Sequence, residues 1–256
     1  MIFDTHAHYD DEAFDADRAE LLGSMQEHGI GAIVNVGASM ESSNITVELI
    51  RQYPFVYGAV GVHPNEVGDM TEKDLQQLET WSQIDKVLAI GEIGLDYHYP
   101  EPPKDVQKRW FEAQMELARK TKLPVIIHSR DAAKDTLDTM TALHAGEIGG
   151  VIHCYSYTKE MAREFLNMDY YFGIGGVLTF PNAKKLREAV AYIPLDKLVL
   201  ETDCPYLAPV PNRGKRNSSL NIPYVIEVMA ELKGCSAKEI EQITMENAKR
   251  LYRMQK

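Results

Sequence analysis

Val87-Leu88-Ala89-Ile90-Gly91-Glu92-Ile93 is a short apolar run with one carboxylate near its end. Its length predicts a buried strand. A core strand has no packing reason to carry Glu, because burying an unpaired charge is costly. The same pattern recurs on both sides of this run. Upstream lie Ile2–His6, Ala32–Val36 and Val56–His63; downstream lie Pro124–His128, Val151–Cys154, Tyr170–Ile174 and Lys197–Asp203. Helical patterns separate them: Asp15–His28, Ser42–Gln52, Thr71–Gln83, Val106–Lys122, Ala132–Leu143, Lys159–Asn167 and Ala183–Ala191. Within the fourth, Val106, Trp110, Ala113 and Leu117 repeat at helical spacing. After the eighth strand come a Pro/Arg-rich loop, Pro205–Asn217, and two helical stretches, Pro223–Lys233 and Ala237–Arg253. This alternation predicts an α/β fold, a (β/α)8 TIM barrel built as a single domain over residues 1–256. A doubly wound open sheet is the competitor, and it requires a reversal of strand order.

Composition narrows the function. The formal net charge of −11 repels nucleic-acid backbones at long range and argues against a non-specific groove binder. Bound divalent cations could reverse that sign locally, so a phosphodiester substrate stays open. Three cysteines, Cys154, Cys204 and Cys235, give no disulfide framework. The start, Met1-Ile2-Phe3-Asp4-Thr5-His6, lacks the pattern of a signal peptide, and no apolar run approaches a membrane span. The expectation is a cytoplasmic protein with no membrane association and no obligate protein partner.

Position carries the chemistry. His6, His8, His63, Glu92, His128, His153 and Asp203 all fall at or near the carboxyl ends of apolar strands. That end of a barrel carries the active site. The remaining histidines, His28, His98 and His144, fall in helices or loops and read as solvated residues; His98 alone could touch substrate. His6 and His8 share a face by period-2 spacing, so one metal could take both imidazoles. Glu92 could bridge two cations through its two oxygens. Imidazole with carboxylate suits Zn, Mn, Fe or Ni, and a carboxylate-bridged pair also tolerates Mg. Alternation turns Cys154 and Cys204 to the opposite face, where small-apolar packing is expected. It also places Asp4 below His6 and Glu201 below Asp203. Each is expected to pair with a histidine ring N–H or a cation.

Seven motifs in order carry a resemblance over essentially the whole chain. They are Asp4-Thr5-His6-Ala7-His8, Gly61-Val62-His63-Pro64, Gly91-Glu92-Ile93-Gly94-Leu95-Asp96-Tyr97, His128-Ser129-Arg130-Asp131, His153-Cys154-Tyr155-Ser156, Glu201-Thr202-Asp203-Cys204-Pro205-Tyr206-Leu207 and Arg213-Gly214-Lys215-Arg216-Asn217. The chain resembles the TatD-type metal-dependent deoxyribonucleases of the amidohydrolase-like barrels. The resemblance implies a metallo-dependent hydrolase with two divalent metal ions. His6, His8, Glu92 and Asp203 would hold the first, and Glu92, His128 and His153 the second. His63 matches a substrate-side position. Two departures stand near the expected substrate cleft: Tyr157, where a small residue is usual, and Ser218-Ser219-Leu220, where an acidic residue and proline are usual.

The implied activity is a deoxyribonuclease of 3′–5′ exonuclease type acting on DNA, single-stranded by preference, or on another phosphodiester. Asp203 would orient the attacking water and take its proton, with Glu92 as the shared ligand. Arg213, Lys215 and Arg216 would clamp a flanking phosphate, or else form a solvated basic loop. Tyr97, Tyr99 and Tyr155 could stack on bases, or pack against the rim. The same ligands would serve hydrolysis of an amide, lactone or aminoacyl ester equally well. A barrel that binds metal without catalysis is the third reading.

Overall fold

The computed structural model describes residues 1–254. The apolar runs form eight parallel strands: β1 Ile2–Ala7, β2 Ile30–Val36, β3 Val56–Val60, β4 Val87–Asp96, β5 Val125–Arg130, β6 Gly150–Ile152, β7 Tyr171–Ile174 and β8 Leu198–Leu200. They pair in chain order from β1 to β8, with no reversal, which excludes the doubly wound alternative. The two edges meet beyond β8. Ala7 and Cys204 form a parallel bridge, and the hydroxyl of Thr5 donates to the carbonyl of Leu200 at 2.9 Å. The barrel is thus nearly closed, joined at these contacts.

Helices α1 Arg18–Ser24, α2 Met40–Gln52, α3 Glu72–Trp81, α4 Lys104–Thr121, α5 Ala133–Ala142, α6 Lys159–Asn167, α7 Lys184–Tyr192, α8 Ile222–Lys233 and α9 Ala237–Leu251 surround the sheet. Their ends follow local chemistry. Thr71 with Asp74, and Ser236 with Glu239, form capping boxes that start α3 and α9. Gly234 ends α8 in the left-handed conformation. The helical stretch expected over Asp15–His28 is broken instead. A 3-10 turn at Glu12–Phe14, the short α1 and a second turn at Gln26–His28 replace it, and Gly29 at φ 82° ends the segment.

Strand ends also differ from the sequence reading, and the differences matter because the chemistry sits there. β3 stops at Val60, so His63 lies in the following loop. The backbone of Val62 leaves the ladder for the side chain of Gln114, which accepts its N–H at 2.8 Å and donates to its carbonyl at 3.0 Å. β6 stops at Ile152 and β8 at Leu200, so His153 and Glu201–Asp203 also stand on loops. β4 runs on to Asp96. Gly94 permits this: a Cβ there would sit 1.9 Å from the carbonyl oxygen of His128, so only glycine lets β4 lie so close to β5.

Candidate metal centre

The strand-end residues converge on Glu92. Its Oε2 lies 3.3 Å from His6 Nε2 and 3.7 Å from His8 Nε2. Its Oε1 lies 2.7 Å from His128 Nδ1, 2.9 Å from His153 Nε2 and 3.8 Å from His63 Nε2. The carboxylate thus divides the imidazoles into two sets, one per oxygen. Asp203 Oδ1 completes the first, 3.4 Å from His8 Nε2 and 3.8 Å from His6 Nε2. The rings of His6 and His153 stack with centroids 3.8 Å apart, which ties the two sets together.

Charge and burial explain the protonation states. Glu92 is buried, which opposes ionisation, yet the imidazoles of His153, His6 and His128 hold it well below the ordinary carboxylate range. Asp203 is likewise depressed against its burial, first by the His8 hydrogen bond. It stands at φ 56° and its side chain is 18% exposed, against 4% for Glu92, so Asp203 is the carboxylate that meets solvent. His63 moves the other way: burial, reinforced by the charge of His128, pushes it down to about 3. Its Nδ1 accepts the backbone N–H of Asn65 at 3.1 Å. A neutral imidazole has one donor nitrogen, so the His63 proton sits on Nε2, facing the site.

The donor set fits divalent cations. The Nε2 atoms of His6 and His8 lie 3.1 Å apart, a spacing that places two lone pairs on one point. Three groups of ligand atoms fall within binding range: His6, His8 and Asp203; His6, His153 and Glu201; and His63, Glu92 and His128. Three buried atoms in this neighbourhood, His6 Nδ1, His153 Nδ1 and Glu201 Oε2, have no hydrogen-bond partner among the described residues. Imidazole and carboxylate together suit several first-row divalent metals.

Below the ligands the carboxylates behave differently from the sequence expectation. Asp4 meets no imidazole ring. It accepts from the hydroxyls of Ser219 at 2.6 Å and Thr202 at 2.7 Å, and from the backbone N–H of His6 at 3.2 Å. Burial pushes it up to about 7. Ser219 therefore lies in the core under His6, not in the cleft, with Tyr9 Oη 2.9 Å from its hydroxyl. Glu201 Oε1 lies 3.6 Å from His153 Nδ1 and accepts the N–H of Cys154 at 2.5 Å. Cys204 is buried as expected, but Cys154 is only half-buried, because φ 45° breaks the alternation after Ile152. Burial and the charges of Asp203 and Glu201 keep its thiol protonated.

The rim residues are spread around the mouth. A cleft of about 740 Å³ opens between the loop after β1 and the loop after β8, lined by Asp11, Asp15, Tyr206, Lys215 and Arg216. Arg216 is engaged by Asp17 through two contacts of 2.8 and 2.5 Å. Arg213 lies over the ring of Phe180. Tyr155 is buried, with its hydroxyl donating to the Thr158 carbonyl at 2.5 Å, so it offers no base platform. Tyr97 donates to Asp135, Tyr157 sits 3.0 Å from the Ser129 hydroxyl, and Tyr99 is half exposed. His28 contacts the Ser24 carbonyl, and His98 lies 3.3 Å from Asp131. Sequence reasoning missed Asp96, Asn65, Gln107 and Gln114. Asp96 had a signal: it is four residues after Glu92, on the same face of a strand.

A closed parallel barrel that gathers imidazoles and carboxylates at the carboxyl ends of its strands is the architecture of a metal-dependent hydrolase. The chain belongs to the TatD related DNase family, whose model matches residues 3–253. It is 46% identical to the Bacillus subtilis metal-dependent hydrolase YabD, over 99% of this chain and 100% of that one. It is 35% identical to Escherichia coli YcfH, also described as a metal-dependent hydrolase, over 98% and 96% of the two chains. The crystal structure of YjjV, a TatD homologue from Escherichia coli, superposes with a TM-score of 0.93 at 31% identity, covering 99% of this chain and 98% of that one.

Proposed function

We propose that this protein is a divalent-metal-dependent deoxyribonuclease that cleaves DNA phosphodiester bonds, preferring single strands, with two cations for which Glu92 would be the shared ligand. The observation that carries this reading is the division of the imidazoles between the two oxygens of Glu92. His6, His8, Glu92 and Asp203 would hold one cation, and Glu92, His128 and His153 the other. When bound, such cations polarise a phosphoryl oxygen and lower the pKa of water from about 15.7 towards about 7. Asp203, ionised and open to solvent, orients the attacking water and takes its proton. His63 presents the Nε2 proton to a non-bridging phosphate oxygen. Lys215 at the cleft and Arg213 beside it hold a flanking phosphate. Arg216 can share in this only by exchanging its partner Asp17. Three free cysteines fit a cytoplasmic setting.

The competing reading is hydrolysis of an uncharged amide, lactone or aminoacyl ester. The acidic lining at Asp11 and Asp15 and the commitment of Arg216 favour it. One experiment separates the two. Purified protein loaded with Mg, Mn, Zn, Ni or Fe is assayed on single- and double-stranded DNA and on a panel of esters and amides. Equal residual nuclease activity in the wild type and Asp203→Asn sinks the deoxyribonuclease assignment. Turnover confined to the ester and amide panel establishes the competitor.

A further inference from the structure

Asp96 is a buried carboxylate that the mechanism above leaves without a task. It closes β4 and is 1% exposed. Burying a carboxylate is costly unless it is paired. Its Oδ2 lies 3.2 Å from His128 Nε2, and its Oδ1 accepts the N–H of His98 at 2.9 Å. The opposite nitrogen of the same ring, Nδ1, lies 2.7 Å from Glu92 Oε1. Both nitrogens of His128 therefore face a carboxylate. Turning the ring over would set carbon atoms against both oxygens, so its orientation is fixed.

Asp96 is itself held in place. Gln107 of α4, buried, accepts the Asp96 N–H at 2.9 Å and donates to the carbonyls of Asp96 and Pro102, each at 2.9 Å. Asn65 adds its side-chain amide, 3.5 Å from Asp96 Oδ2. A carboxylate gripped this firmly through its own backbone is placed to hold something else still.

We propose that Asp96 is a positioning residue that keeps the proton of His128 on Nε2 and so turns the Nδ1 lone pair towards the cation shared by Glu92, His128 and His153. A neutral imidazole carries one donor and one acceptor, and an acceptor at Nε2 decides which is which. The neighbouring ring is the contrast. His63 and His128 lie with centroids 4.3 Å apart, but the Asn65 N–H occupies the lone pair of His63 at Nδ1. His128 is thus left as a ligand and His63 as a donor. Asn65 touches both arrangements, through its backbone to His63 and its side chain to Asp96.

This inference rests on the two-cation reading, and the test keeps the two apart. Metal-free wild type, Asp96→Ala and Asp96→Asn are titrated with Mn2+ by calorimetry, with circular dichroism and thermal unfolding as folding controls. The expected result is two cations in the wild type. In Asp96→Ala one affinity stays at the wild-type value and the other falls about 10- to 100-fold. Asp96→Asn, which keeps an oxygen acceptor, shows a smaller loss in the same direction. Nitrogen-15 spectra of the Zn-loaded protein show the His128 proton on Nε2 in the wild type and a mixed signal in Asp96→Ala. Wild-type affinities at both sites in the variants overturn the inference, as does a parallel loss at both, which marks a merely structural role. If Asp96→Ala does not fold, the same criteria applied to Asp96→Asn alone decide. If the wild type takes up a single cation, the two-cation reading falls. Asp96 is then judged on that cation, and an unchanged affinity overturns it.

Discussion

The ring of His8 is held from behind by Val36: its Nδ1 donates to the Val36 carbonyl at 2.8 Å. The group that orients this imidazole is a backbone carbonyl at the end of the neighbouring strand, supplied by the parallel pairing of β1 with β2. Nε2 is thereby left to face Asp203 and the Nε2 of His6. The same logic, a partner behind the ring deciding what faces forward, operates at His63 and His128.

His8 makes cation binding depend on pH. Burial works against its protonation, but the hydrogen bond and charge of Asp203 outweigh it and raise the imidazole to about 9 in the metal-free protein. A cation taking Nε2 must displace that proton. Affinity therefore rises with pH up to about 9, by about tenfold per unit for each proton displaced. Calorimetry in buffers of different ionisation enthalpy measures the released proton. An affinity flat from neutral pH to about 9 contradicts the assignment of His8 as a ligand.

Asp203→Asn keeps the shape of the side chain and removes the proposed base. At saturating Mn2+ its kcat on DNA falls about 10²- to 10⁴-fold with KM little changed. A rise in KM with kcat little changed would point to substrate binding instead.

In the proposed arrangement His63→Ala removes a donor to charged substrate and no cation ligand. A hydrogen bond to a charged group contributes about 1.5–3 kcal/mol, so kcat/KM drops about 10- to 100-fold. Metal content measured on the purified variant stays at the wild-type value. Loss of a cation would show that His63 ligates it.

Gln114→Leu strands the N–H and the carbonyl of Val62, both now satisfied by one side chain. Each buried group left unpaired destabilises by about 1–3 kcal/mol. Thermal unfolding of the metal-free variant therefore shows a clear drop in Tm. An unchanged Tm would mean that water replaces the amide.

The chain sequence determined the class of fold and which ionisable residues gather at one rim. Short apolar runs alternating with amphipathic segments can bury their faces only as a helix-covered parallel sheet, and their ionisable ends then share one rim. That is local information, written in residues such as Ile90 and Glu92. Tertiary structure decided which atom faces which. Asp203 reaches His8 only because the chain leaves β8 at Glu201 and turns at φ 56°. Ser219 enters the core because a loop more than two hundred residues from Asp4 folds back under β1. Arg216 meets Asp17 and Asp96 meets His128 for similar non-local reasons. The division of labour between the oxygens of Glu92, and the proton positions on His63 and His128, depend on partners contributed by different strands. No spacing along one strand encodes these partners, because closure of the barrel is what brings them within a hydrogen bond of each other.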